Sequence, residues 1–132
     1  MRESGYGGAR LLVVDDNKVN RLLLTRSLEL QGHSVASAEN GRVALEMLQR
    51  EGFDLVLLDM EMPEMDGLEA ARRICARWNT RERPRIVAMT ANAMQGDRDM
   101  CLAAGMDDYL TKPIRVERLV EALRLVPARE GR

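Results

Sequence analysis

The chain has 132 residues, 45% hydrophobic and 31% charged, with 20 basic and 21 acidic side chains and a net charge of −1. That suits one folded domain with its own core, excludes two ordinary domains and a disordered chain, and leaves no electrostatic footprint for nucleic acid or a membrane surface. No apolar run nears the roughly 20 residues that span a bilayer, the first eight residues hold no secretory leader, and Cys75 and Cys101 lack metal-ligand spacing, so two buried thiols in a reducing, cytoplasmic setting are expected.

Residues 1–8 carry three glycines and no periodicity, which predicts a mobile tail or a vector-derived remnant, with the domain itself over 9–126 and a polar tail over 127–132. Arg10 to Val14 is a short apolar run that ends at Asp15-Asp16-Asn17. Val19, Leu22, Leu23 and Leu30 then fall at helical spacing, giving a first helix that ends near Gln31-Gly32. His33 to Ala38 alternates weakly and predicts a less buried strand. Asn40-Gly41 turns the chain into a second helix, with Ala44, Met47 and Leu48 inward and its end near Glu51-Gly52.

Phe53 to Leu58 is almost wholly apolar and stops at Asp59. A run of that length without alternation predicts a central strand buried on both faces. After a loop marked by Pro63 and Gly67, Leu68, Ala71 and Cys75 mark a third helix that runs to about Trp78, a half-exposed anchor. Arg85 to Met89 predicts the fourth strand, ending at Thr90. A thinly apolar fourth helix follows over Ala93 to Ala104. Met106 to Leu110 is the fifth strand, before Thr111-Lys112-Pro113, and Val116, Leu119, Val120 and Leu123 mark the last helix.

Five strands alternating with five helices predict an α/β fold: a single doubly wound domain with a parallel sheet and helices on both faces. Right-handed crossovers place every strand's carboxyl end on one edge, where open sheets bind ligands. Asp15, Asp16, Asp59, Thr90 and Lys112 each follow a strand directly and should meet there. Three carboxylates repel one another unless a cation joins them, and Mg²⁺ suits carboxylates, waters and a phosphate. With an ammonium and a hydroxyl beside them, these are the parts for phosphoryl transfer to an aspartate nucleophile. Asp59, on the central strand, is the candidate acceptor.

Taken singly, each residue has a plainer reading. Asp16 or Asn17 suits a helix N-cap, Asp59 a turn, and Lys112 an ordinary surface position. His33, the one histidine, has no partner near it in sequence and is not expected to carry a phosphoryl group. The nine methionines are scattered packing residues. The combination at four strand ends is what points to a site.

LLVVDDN, LLDMEMPEMDG, IVAMTANAM and GMDDYLTKPI resemble the receiver domains of two-component response regulators over about Arg10 to Leu125. The resemblance implies a flavodoxin-like (βα)5 fold with strand order 2-1-3-4-5. It implies Asp59 as phosphoacceptor, with Thr90 and Lys112 contacting the phosphoryl oxygens. Asp15, Asp16, Asp59 and the main-chain carbonyl of Glu61 would hold Mg²⁺, for which Mn²⁺ could substitute. It further implies a cis peptide at Pro113 and a switch pair, Thr90 and Tyr109, acting on the surface of the fourth helix, fifth strand and fifth helix. The implied partner is a histidine kinase or a histidine phosphotransfer protein. A homodimer through the switch surface is left open, and this domain is expected to touch neither nucleic acid nor membrane.

The carboxylate of Glu61 is expected to modulate the lifetime of the aspartyl-phosphate. The wording of TANAM and GMDDYLTKPI resembles receivers of hybrid histidine kinases, so an excised receiver with no output domain of its own is expected. A free-standing regulator or phosphate sink is the alternative. Rivals from other classes are a haloacid dehalogenase-like phosphatase, whose acid pair Asp59-Met60-Glu61 mimics, and an unphosphorylated interaction module. A flavodoxin-like cofactor carrier would need a phosphate loop where Asp15-Asp16 stands.

Overall fold

The structure is a computed structural model and describes residues 9–62, 67–78, 83–91, 99, 102–112, 114–115, 117–118 and 121. Among the described residues eight elements follow one another: β1 (Arg10–Val14), α1 (Lys18–Leu30), β2 (Ser34–Ala38), α2 (Gly41–Arg50), β3 (Leu55–Asp59), α3 (Gly67–Arg77), β4 (Arg85–Thr90) and β5 (Asp108–Thr111). All strand pairs are parallel and the order is β2-β1-β3-β4-β5, as expected from the alternation. The last helix, most of the fourth, Cys101 and both tails lie outside the described residues.

Strand periodicity divides the core in two. Leu12, Val14, Val56, Leu58, Ile86 and Ala88 face α2 and α3, which contribute Ala44, Leu48, Ala70, Ala71 and Ile74. Leu11, Val13, Leu55, Leu57, Val87 and Met89 face the other way, onto Leu28 and Leu24 of α1. Neighbouring residues point to opposite faces of a strand, so β1, β3 and β4 need apolar side chains at almost every position. That is why they are apolar runs, whereas edge strand β2 reads Ser-Val-Ala-Ser-Ala and is mostly half-buried or exposed.

Helix ends follow local chemistry. Asn17 Oδ1 accepts from the Asn20 N–H at 3.0 Å, and Asn40 Oδ1 from the Val43 N–H at 2.8 Å, capping α1 and α2. Gly32, at φ 96°, ends α1 in the left-handed region.

Three expectations change in detail. The strands foreseen from Phe53 and Met106 begin two residues later, at Leu55 and Asp108. Side chains take the ladder positions there: Asp54 Oδ2 accepts from the Arg10 N–H at 2.7 Å, and Asp107 Oδ2 from the Ile86 N–H at 2.8 Å. The apolar stripe of α1 is the wrong face: Val19, Leu22, Leu23 and Leu30 are exposed, and Leu24 and Leu28, one turn apart, face the sheet. Leucines at 22, 23 and 24 satisfy more than one helical stripe, so periodicity alone could not choose. Cys75 is half-buried rather than buried, its thiol 3.7 Å from the Gly105 carbonyl. Trp78 is the half-buried anchor expected, just beyond α3 and packed on the core.

Candidate functional site

Parallel topology carries Asp15, Asp59, Thr90 and Lys112 to one edge. Asp59 is the last residue of β3 and Thr90 the last of β4; they, and Asp15 just past β1, are almost wholly buried. Asp16 is exposed beside them. Carboxylate oxygens of Asp15, Asp16 and Asp59 all lie within 4.8 Å of one another. Lys112, just past β5, is held by its main chain, whose N–H donates to the Thr90 carbonyl at 2.7 Å. Its ammonium donates to Asp59 Oδ1 at 2.8 Å.

The loop after Asp59 is shaped around that carboxylate. The Glu61 N–H donates to Asp59 Oδ1 at 3.0 Å. The Glu61 carboxylate lies across the mouth of the site, one oxygen 3.5 Å from the Lys112 ammonium and the other accepting from the Ala91 N–H at 3.4 Å. Gly67 opens α3 beneath this loop, where a Cβ would stand 2.6 Å from the Asp59 carbonyl oxygen and 2.9 Å from Met60 Cα. Only glycine lets the helix approach so closely.

Asp15 is fixed from both sides. Its Oδ1 accepts from the Asn17 N–H at 2.9 Å, and its carbonyl accepts from the Arg21 guanidinium at 2.7 Å. Burial pushes its carboxyl above the usual range; the Asn17 N–H opposes this, and the negative charge of Asp59 adds to it. Burial pulls Lys112 the other way, but the hydrogen bond to Asp59 and the charges of Asp59, Asp15 and Glu61 outweigh it, so its ammonium is held above the ordinary lysine value.

Among the described residues, the carboxylates of Asp59, Asp15 and Glu61 act on the Lys112 ammonium, and those of Asp15, Asp16 and Asp59 cluster together. An all-oxygen, excess-negative donor set fits a hard divalent cation. Beside it, Asp15, Asn20, Leu23, Leu24, Met89, Lys112 and Ile114 line a groove of about 410 Å³. It joins Asp15 and Lys112 to the exposed Leu23 of α1. Tyr109 is half-buried on β5 and packs on the core. Pro113, expected to be cis, lies outside the described residues. His33 is far from these groups in role: its Nδ1 accepts from the Ala9 N–H at 2.9 Å, tying β2 to the start of β1.

Sequence reasoning missed two participants. Arg21 reaches back from the first turn of α1 to the Asp15 carbonyl, a contact with main chain that residue type does not mark. The Ala91 N–H enters through its main chain and leaves no trace in residue type.

Known proteins share this fold. The family model for the response regulator receiver domain matches residues 11–124. The sensor protein GacS of Pseudomonas syringae pv. syringae is 44% identical over 117 residues, which cover 86% of this chain; the chain spans 13% of that protein's length. The receiver domain of the sensor histidine kinase PA1611 from Pseudomonas aeruginosa PAO1, solved with a magnesium ion in its active-site cleft, is 40% identical with a TM-score of 0.81, covering 91% of this chain and 98% of its own. The receiver domain of Ssk1, in complex with the Saccharomyces cerevisiae histidine phosphotransfer protein Ypd1, is 30% identical with a TM-score of 0.79, covering 87% of this chain and 86% of its own. With its strand order, its acidic edge and a family match over almost its whole length, the chain belongs to the response regulator receiver domain family, whose members serve two-component and phosphorelay signalling.

Proposed function

We propose that Asp59 accepts a phosphoryl group from a phosphohistidine and that Lys112 and Thr90 position that group. The observation that carries the reading is the Lys112 ammonium, 2.8 Å from Asp59 Oδ1 beside three clustered carboxylates. A carboxylate oxygen of Asp59 forms the new bond to phosphorus as the phosphorus–nitrogen bond breaks, and the electron pair leaves with the imidazole. The ammonium of Lys112 follows the phosphoryl oxygens and offsets their charge, while the Thr90 hydroxyl donates to another. Asp15, Asp16, Asp59 and the Glu61 carbonyl would hold Mg²⁺, and Mn²⁺, of the same charge and oxygen preference, would substitute for it. When bound, the cation neutralises charge on the transferring group.

The donor is a histidine kinase or histidine phosphotransfer protein, and its surface lies against α1. Val19, Leu22 and Leu23 are exposed there, and Leu23 and Asn20 line the groove that leads to Asp15 and Lys112. The Ypd1–Ssk1 complex supports a partner of this class. The likeness to GacS and the PA1611 receiver supports a hybrid histidine kinase as the parent protein, and in this reading the receiver works in the cytoplasm. Among the described residues no helix is long and apolar enough to cross a membrane. Movement of Thr90 toward the phosphoryl group, with Tyr109 following, carries the signal to the surface around β5, where a homodimer would form.

The test is transfer from a radiolabelled phosphotransfer protein to this chain with Mg²⁺ present. Label should leave the donor and appear on the wild type but not on Asp59→Asn. Label on Asp59→Asn equal to wild type would overturn the assignment.

A further inference from the structure

The Glu61 carboxylate does more than sit near the acceptor. Its two oxygens are divided between two donors: Lys112 Nζ at 3.5 Å and, at 3.4 Å, the N–H of Ala91, the residue just past the end of β4, the strand that pairs with β3. Lys112 in turn touches Asp59 Oδ1 at 2.8 Å. A phosphoryl group joined to Asp59 would present its oxygens to the Lys112 ammonium that touches Asp59 and, in this reading, to the Ala91 N–H that the same Glu61 carboxylate now engages. A planar, doubly acidic-oxygen group already spans them.

We propose that Glu61 is a built-in occupant of the phosphoryl-binding donors, which must withdraw before a phosphoryl group on Asp59 can take its place. The inference rests on Asp59 being the acceptor. Glu61 is well suited to leave: its side chain is 53% exposed, both contacts are long for charge-assisted bonds, and water can solvate the released carboxylate. Its main-chain N–H, by contrast, stays on Asp59 Oδ1 at 3.0 Å, so the side chain can swing while the loop keeps its place. The occupant therefore raises the threshold for phosphorylation and competes with the phosphoryl group once it is there, which shifts the balance toward the unmodified state.

Two explanations of a Glu61 effect must be separated. A general repulsion between one more carboxylate and an anion depends on charge alone. Occupancy depends on reach, because only a side chain of glutamate length spans both donors. Glu61→Asp keeps the charge and loses the span, whereas Glu61→Gln keeps the length and loses the attraction for Lys112.

The experiment is calorimetric titration with beryllofluoride, a phosphoryl mimic, at saturating Mg²⁺, on wild type, Glu61→Gln, Glu61→Asp and Glu61→Ala. Two weak, partly exposed contacts are lost in Glu61→Ala, which should bind roughly three- to tenfold tighter than wild type, with Glu61→Asp tighter as well. The Ala91 amide resonance should also shift in unliganded Glu61→Ala and Glu61→Asp, since its acceptor is gone. Equal affinity in wild type and Glu61→Ala, an unmoved Ala91 resonance, or a Glu61→Asp affinity equal to wild type would each overturn the proposal. No beryllofluoride binding by any of the four proteins would instead overturn the acceptor assignment beneath it.

Discussion

Lys112 and Asp59 are 53 residues apart in sequence, yet the lysine ammonium donates to the aspartate Oδ1 at 2.8 Å. The lysine side chain is 26% exposed and the aspartate 1%, so the anion is buried and the cation covers it from the solvent side. The pair joins the ends of β3 and β5, strands separated in the sheet by β4. Removing the ammonium leaves Asp59 among like charges and takes away the side-chain cation that would offset an incoming phosphoryl group. Lys112→Met should therefore take up a phosphoryl group roughly a hundredfold more slowly, the loss typical of one electrostatic donor, while its circular dichroism stays that of wild type. Uptake within twofold of wild type would contradict this role.

Gly67 is a steric requirement of the site. Its Cβ would meet main-chain atoms, the Asp59 carbonyl at 2.6 Å and Met60 Cα at 2.9 Å, and main chain cannot turn aside as a side chain can. Gly67→Ala should lower stability by about 1–3 kcal/mol, the usual cost of overpacking, and slow labelling of Asp59 because the loop carrying the acceptor shifts. Chemical denaturation and labelling rate, measured on the same preparation, check both halves.

At the opposite edge, Arg83 grips Asp107 through two hydrogen bonds of 2.8 and 3.2 Å, and the Ile86 N–H adds a third at 2.8 Å. Burial pushes the Asp107 carboxyl upward, but the Arg83 bonds and the Ile86 N–H outweigh it, so its pKa lies below the ordinary 3.8. A depressed acid stabilises the fold above its unfolded value and loses that contribution as pH falls through the folded one. Wild type should thus lose this stabilisation below pH 3.8. Asp107→Asn should be less stable at neutral pH by about 2 kcal/mol and show a flatter stability profile below pH 4. Denaturant midpoints across pH 2–7 decide it; parallel profiles would contradict the assignment.

The exposed Leu22 of α1 separates docking from chemistry. Its side chain is 54% exposed and lies outside the lining of the groove, so Leu22→Asp should change stability by no more than about 1 kcal/mol. Labelling by a small phosphodonor should be unchanged, and transfer from a phosphotransfer protein should fall at least tenfold. Equal losses with both donors would place the effect in the site instead of the docking face.

These residues also mark what the sequence could and could not say. Strands β1, β3 and β4 were legible because burial on both faces demands continuous apolar runs, and a run's end names the edge residue; Asp15, Asp59 and Thr90 follow from that alone. Lys112 was legible once the topology put its strand beside theirs. The inward face of α1 was not, since Leu22, Leu23 and Leu24 are chemically alike and only packing chooses Leu24. Nor were the starts of β3 and β5, where carboxylates of Asp54 and Asp107 replace main-chain partners. The span of Glu61 between Lys112 and Ala91 depends on a loop conformation that no periodicity encodes.

The most direct test of the central claim is intact-mass analysis after incubation with a small-molecule phosphodonor, with and without Mg²⁺, followed by peptide mapping. The account predicts a gain of one phosphoryl group that requires Mg²⁺, maps to the peptide containing Asp59 and is lost in Asp59→Asn. A phosphoryl group on another residue, or none on a folded wild-type domain with Mg²⁺ bound, would contradict it.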